Sequence, residues 1–233
     1  MNSVLSFGEL LLRFAPDLQG NWLKNNNLTM YVGGAEANVA AALANWGLPV
    51  QYCTAIPENY LSGQLLDHLK ARKIGVSTIF YQGNKIGAYY LPAEADLKHQ
   101  SVIYDRSNSS FATLEPGMID WNNVLEGVGW FHFSAISPAL SENVAKVCEE
   151  ALRVAGEKKI TVSVDLNYRS KLWQYGKKAN EIMPRLVAHC DVVMGNVWSA
   201  ATMLNVPVDE RLREKNNKET YIEQSRQTSA HIE

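Results

Sequence analysis

Apolar and polar positions along this chain follow two rhythms. Apolar runs of strand length occur at Val4-Leu5-Ser6-Phe7, at Leu10-Leu11-Leu12-Arg13-Phe14, and over residues 28–32 and 50–56. Between the last two runs, Gly33-Gly34 breaks the strand pattern and an alanine-rich helix follows, stopping at Gly47. Ala37, Ala40, Ala41, Ala42 and Ala44 carry so little bulk that this helix can lie close to a sheet. A second helix is expected over 64–73. Ser62 would cap it, Leu65, Leu66, Leu69 and Ile74 would be its apolar positions, and Gly75 would end it. Strand, helix, strand, helix in this order predicts parallel βαβ units.

The rhythm changes after Gly75. Residues 78–82, a Gly83-Asn84 turn and residues 86–91 form a hairpin pattern, and 102–106 is a further short strand. Strands joined without helices do not all fit a doubly wound sheet. They predict a small separate β-lid built from 28–32 and 78–106. Its Tyr89-Tyr90 pair must put one ring on each face. The lid strands are rich in Tyr and Phe with little chain to cover both faces, so a homodimer through the lid is expected.

From Asp120 the βα rhythm returns. Residues 130–134 predict a buried strand, and 142–155 a helix capped by Ser141 and ended by Gly156. His132, inside that apolar strand, is expected to be a satisfied core residue. The β-branched run 160–164 predicts a central strand that leads into Asp165-Leu166-Asn167-Tyr168-Arg169. A helix over 178–189 contains Pro184, a strand over 191–195 ends at Asn196, and 197–204 is a short helix. The tail over 209–233 is polar and charged, and predicts a solvated helix or loop. The expected architecture is a three-layer α/β fold, a mostly parallel sheet flanked by helices, with a β-lid.

Composition narrows the function classes. With 46% hydrophobic residues, 20% charged residues and a net charge of −2 over 233 residues, the chain offers no electrostatic case for nucleic acid. No apolar run approaches the ~20 residues of a membrane span, and the N-terminus lacks the basic start of a signal peptide. Cys53, Cys148 and Cys190 are odd in number and far apart, which suits reduced thiols and a cytoplasmic location. The scattered histidines argue against a His-based metal site.

Candidate chemistry gathers at predicted strand ends. Gly33 and Gly34 allow a close backbone approach, and Asn38 offers both donors and acceptors to a polyhydroxylated ligand. The same turn also suits a plain, well-packed βα connection. Asp165, Asn167 and Arg169 follow a central parallel strand, where open α/β sheets bind ligands. Asn196 ends the next strand. Arg13 interrupts apolar neighbours and faces either solvent or a pocket. No Walker loop or paired-cysteine zinc motif stands out, and Gly127-Val128-Gly129 lacks the third glycine of a dinucleotide fingerprint.

These residues resemble the ribokinase-like (PfkB) carbohydrate kinases, most closely the 2-keto-3-deoxygluconate kinases. The resemblance rests on Gly8-Glu9, Gly33-Gly34-Ala35-Glu36-Ala37-Asn38-Val39-Ala40, the lid tyrosines, Tyr104-Asp105-Arg106, Asp165-Leu166-Asn167-Tyr168-Arg169, Leu172-Trp173 and Gly195-Asn196, in the family's order. It implies transfer of the ATP γ-phosphoryl group, with Mg2+, to a hydroxyl of a small-molecule sugar acid. Gly33, Gly34 and Asn38 would hold hydroxyls. Arg106 and Arg169 would clamp the carboxylate, because a guanidinium matches it bidentately. Tyr90 and Tyr104 would close over it, Asp165 and Asn167 would line the site, and Asn196 would lie on the nucleotide side. Arg13 stands where the related fructokinases tend to carry an aspartate, which favours an acid.

The sequence also departs from the family. The motif Asn-x-x-Glu appears as Asn196-Val197-Trp198-Ser199, without the glutamate linked to magnesium and phosphate. The Gly-Ala-Gly-Asp turn, source of the anion hole and the catalytic aspartate, is absent, and no glycine follows Gly195. The expectation is that this aspartate lies beyond the chain and that the 233 residues alone are inactive. A fructokinase-like enzyme and a non-catalytic sugar-acid binding protein are the alternatives. Asp105 and Asp165 could pair with the two arginines, but Asp105 is poorly placed to neutralise Arg106, since adjacent strand residues face opposite ways, and an anionic substrate is the expected partner.

Overall fold

The computed structural model describes residues 2–17, 20–24, 26–91, 102–213 and 218–232. The strands are β1 (Ser3–Phe7), β2 (Leu11–Ala15), β3 (Thr29–Gly33), β4 (Val50–Ile56), β5 (Ile79–Tyr81), β6 (Gly87–Tyr90), β7 (Ile103–Asp105), β8 (Val128–Ser134), β9 (Thr161–Asp165) and β10 (Val192–Met194). A parallel six-stranded sheet runs β10-β9-β8-β1-β4-β5, and a four-stranded sheet runs β3-β2-β6-β7. The helices are α1 (Ala35–Asn45), α2 (Tyr60–Ala71), α3 (Trp121–Val124), α4 (Glu142–Glu157), α5 (Ala179–Val187), α6 (Val197–Leu204) and α7 (Lys218–Ile232).

Alternation along the strands divides the core in two. Leu5, Phe7, Phe131, Phe133, Val162 and Val164 face α3, α4, α5 and α6. Phe7 sits among Phe111 and Trp121, each at 5.1 Å, and Phe131 at 6.3 Å, close enough for edge and offset ring contacts. On the opposite face Tyr52, Val50 and Ile56 pack with α1 and α2, where Ala37, Ala40 and Ala44 allow the close approach expected of them. The result is the expected three-layer α/β arrangement. No described helix is long and apolar enough to cross a membrane.

The lid differs from the sequence expectation in two ways. Residues 79–81 do not pair with 86–91. They extend the main sheet beside β4, with Thr54 opposite Ile79 and the Gln82 N–H donating to Ile56 O at 3.0 Å. Meanwhile β2 becomes a central lid strand, antiparallel to β3 and parallel to β6. A three-residue half-buried run carries no local information about which sheet it joins; the free edge of β4 decides it. Residues 92–101 of the expected lid lie outside the described residues. Helix α2 starts earlier than expected, because the Asn59 side chain, not Ser62, accepts the capping bond, from Ser62 N at 2.9 Å. Ser141 caps α4 as expected, and α4 runs through Gly156. The polar tail forms α7, anchored by buried Gln224, which accepts from Asp209 N at 2.7 Å and donates to Pro207 O at 2.8 Å.

Candidate functional site

The order of the main sheet reverses at β1, which has β4 on one side and β8 on the other. Open α/β sheets leave a crevice at the carboxyl ends of the strands where the order reverses. Here the lid covers it and encloses a cavity of about 460 Å3. Its floor is Gly34, Ala35 and Asn38 at the start of α1, Ile136 after β8, and Asp165, Asn167 and Arg169 after β9. Its roof is Leu11, Tyr89, Leu91, Val102, Tyr104 and Arg106 from the lid.

Local chemistry places the floor. Gly34 adopts φ 135°, and a Cβ there would stand 2.7 Å from Glu9 O, so only glycine fits the turn into α1. The Asp165 carboxylate accepts from Asn167 N at 3.1 Å and helps hold Asn167 at φ 25°. Arg169 is exposed to the cavity, and its Nη1 donates to Tyr168 O at 3.1 Å.

The sequence-predicted residues divide. Gly34, Asn38, Tyr104, Arg106, Asp165, Asn167 and Arg169 converge on the cavity. Gly33 lies behind it, its Cα face against the Tyr89 ring. Tyr90 does not belong to the cavity: it stacks on Phe14 at 5.4 Å and meets Trp22 edge-on at 6.0 Å on the opposite lid face, and Tyr89 takes its place. The alternation of the strand made one of the two inevitable; the register Arg13↔Tyr89 fixed which. Arg13 shares that register but is not part of the cavity wall. Its guanidinium lies 4.2 Å from the Tyr31 ring centroid, a cation–π contact, and its buried Nε has no hydrogen-bond partner among the described residues. Asn196 is remote: it caps α6, accepting from Ser199 N at 2.8 Å, and lines a separate cavity of about 760 Å3 between β10, α6 and α7.

The expectation that Arg106 awaits an anion is overturned. Arg106 and Glu9 are both almost fully buried, and Arg106 donates from Nε and Nη2 to Glu9 Oε2, each at 2.6 Å. Ser109 Oγ donates to the other oxygen of Glu9. Asp105 does not neutralise Arg106, as strand alternation predicted; it pairs with Lys85. The partner of Arg106 comes from the turn after β1, which no local pattern connects to β7. Glu9 was visible as a carboxylate at a strand end, a position that signals a site, but not as a counter-ion.

Glu36 was also missed. It is buried in the first turn of α1 and accepts from Ser134 N at 3.1 Å and from Ser134 Oγ. Burial raises its pKa, against the lowering effect of the Ser134 hydroxyl. Tyr52 donates to Gly8 O at 3.1 Å beside these two carboxylates, and burial raises its pKa. His132 is the satisfied core residue expected: 4% exposed, with Nδ1 2.9 Å from Ser163 Oγ, and its pKa lowered by burial.

A mostly parallel sheet flanked by helices, with its strand-end crevice roofed by a small β-lid, is the ribokinase-like α/β fold. Residues 1–228 match the pfkB family of carbohydrate kinases, and the chain belongs to that family. It is 30% identical over 171 residues to the 2-dehydro-3-deoxygalactonokinase of Haloferax volcanii, covering 73% of this chain and 53% of that protein. It is 25% identical to Fructokinase-2 of Zea mays over 215 residues, 90% of this chain and 59% of the maize protein. The crystal structure of 2-dehydro-3-deoxygluconokinase from Thermotoga maritima superimposes with a TM-score of 0.87 at 32% identity, covering all of this chain and 70% of that one. The chain thus spans little more than half the length of these curated relatives.

Proposed function

We propose that this chain carries the acceptor half of a sugar-acid kinase, with 2-keto-3-deoxygluconate as the sugar. The observation that carries the reading is the cavity itself. One exposed guanidinium, Arg169, stands opposite two lid tyrosines, Tyr89 and Tyr104, above the Gly34 and Asn38 floor. A carboxylate on Arg169 and hydroxyls on Asn38, Asp165 and Asn167 would fill that set. Arg106 reaches the wall already paired with Glu9, so among the described residues Arg169 brings the cavity its arginine without a carboxylate partner and supplies the charge preference. The names of the Haloferax and Thermotoga relatives support the sugar-acid class, and the maize relative keeps a fructokinase-like specificity as the alternative.

The family reaction moves the γ-phosphoryl group of ATP, with Mg2+, to a sugar hydroxyl. The residues described here do not fit that nucleotide. Among the described residues the wall of the cavity beside Asn196 has no lysine or arginine, and the Asn196 side-chain Oδ1 is engaged in its helix cap. Among the described residues no cluster of His, Cys, Asp and Glu could hold a metal. What this chain supplies is binding and orientation of the acceptor.

Calorimetric titration tests the reading. Wild type should bind 2-keto-3-deoxygluconate in preference to fructose. Arg169→Ala should weaken the acid by about 1.5–3 kcal/mol, the worth of a hydrogen bond to a charged group, and change fructose little. Equal losses for both, or preference for fructose, would leave the fructokinase-like reading. A homodimer through the lid is part of the proposal, on the exposed Met30, Tyr31 and Ile103. A monomer by sedimentation at micromolar concentration would end it. Three free cysteines, two of them buried, suit a cytoplasmic protein.

A further inference from the structure

The chain passes between main sheet and lid after β1, after β3, before β6 and after β7. These passages meet at one residue. Glu9 lies in the first. Its carbonyl oxygen packs on Gly34 in the second, and its carboxylate packs on Gly87 at the start of β6, where any Cβ would overlap it. Its carboxylate also accepts from Arg106 and Ser109 in the last. Ser109 Oγ in turn accepts from Ala112 N at 3.1 Å, tying this knot to the body of the protein.

Arg106 is a long side chain that reaches the cavity wall, and its Nε and Nη2 are both held by Glu9. A free arginine would lose rotamer freedom on gripping a ligand; one already clamped does not. We propose that Glu9 is a positioning residue: through Arg106 it pre-sets both the guanidinium and the lid over the acceptor cavity. Glu9 does not line the cavity, and of the two side chains that donate to its carboxylate only Arg106 does, so the effect of that carboxylate on a ligand runs through Arg106. The inference rests on the acceptor-site reading only for its binding arm.

The test is a double-mutant cycle on the full 233-residue chain. Glu9→Gln keeps the shape and one acceptor but removes the charge. It should weaken 2-keto-3-deoxygluconate binding on the order of tenfold, the cost of ordering one mobile side chain. In an Arg106→Met background the same substitution should change binding less than twofold, because the guanidinium through which Glu9 acts is gone. Tighter binding in Glu9→Gln, or an undiminished loss in the Arg106→Met background, would overturn the proposal. A second readout needs no sugar: the Arg106 Nε–H signal, assigned by its loss in Arg106→Lys, should exchange slowly in wild type and at least tenfold faster in Glu9→Gln. Equal exchange would overturn the proposal even if the variants bound no ligand. If wild type binds no sugar acid but the exchange difference is present, the substrate reading fails and the positioning role stands.

Discussion

The cavity under the lid sits at the carboxyl ends of the strands, the cavity beside β10 runs along that edge strand, and the two are built differently. The lid cavity is smaller, at about 460 against 760 Å3, and draws its walls from segments after β3, β8 and β9 together with the lid. Its polar groups converge and are backed by a second set, with Glu9 behind Arg106 and Asp165 behind Asn167. The larger one is walled mainly by β10, α6 and α7, and its one strand-end asparagine serves a helix cap. Volume alone does not make a site; convergence of partnered polar groups from several strand ends does.

The largest effect expected from this contrast is on turnover. The 233-residue chain should bind the acceptor but transfer phosphate from ATP at least ~100- to 10,000-fold more slowly than an ordinary carbohydrate kinase, the factor a missing general base costs. A coupled ADP-release assay on material of verified mass checks this, and ordinary turnover would show that the β10 cavity does more than its walls suggest.

The backing of the lid cavity sets the next effect. Arg106→Met leaves Glu9 buried without its cation and should lower stability by about 3–5 kcal/mol. Urea denaturation would measure it. A loss below 1 kcal/mol would mean that Glu9 finds water or a proton instead, and that the ion pair is not what joins lid to sheet.

Within the roof, the two adjacent tyrosines should separate. Tyr89→Phe removes a hydroxyl from the cavity and should cost about 0.5–1.5 kcal/mol in acceptor binding, whereas Tyr90→Phe should leave binding unchanged. Titrating both variants against the same sugar acid gives the answer. The reverse order would place the roof one residue out of register.

A smaller effect concerns pH. Burial raises the Glu36 pKa in the folded protein above its unfolded value. A raised carboxylate contributes stability that is fully present below the unfolded pKa and is lost as pH rises through the folded one. Glu36→Gln keeps an acceptor for Ser134 and removes the titration. The stability difference, wild type minus variant, should therefore fall as pH rises above the ordinary carboxylate range. A denaturation midpoint difference that stays flat with pH would show that Glu36 is not ionising in that window.

Much of the frame was legible in the chain. The bounds of α6, the Ser141 cap of α4 and the buried strands β4, β8 and β9 follow from local periodicity and capping, which act between near neighbours. So did part of the floor of the cavity, because Asp165 and Asn167 sit at the end of a central strand whose carboxyl end any parallel sheet brings to the ligand side, while Gly34 and Asn38 follow a strand of the lid and reach the floor through the glycine turn into α1. What the chain could not state by itself were choices made between distant segments. Residues 79–81 joined β4 because its edge was open, and Leu11–Ala15 became a lid strand because β3 and β6 both flanked it. Tyr89 rather than Tyr90 faces the cavity because of a register set across β2. Glu9 meets Arg106 across 97 residues of sequence. A buried charge takes whichever counter-ion the folded backbone delivers, and only tertiary packing decides which one that is.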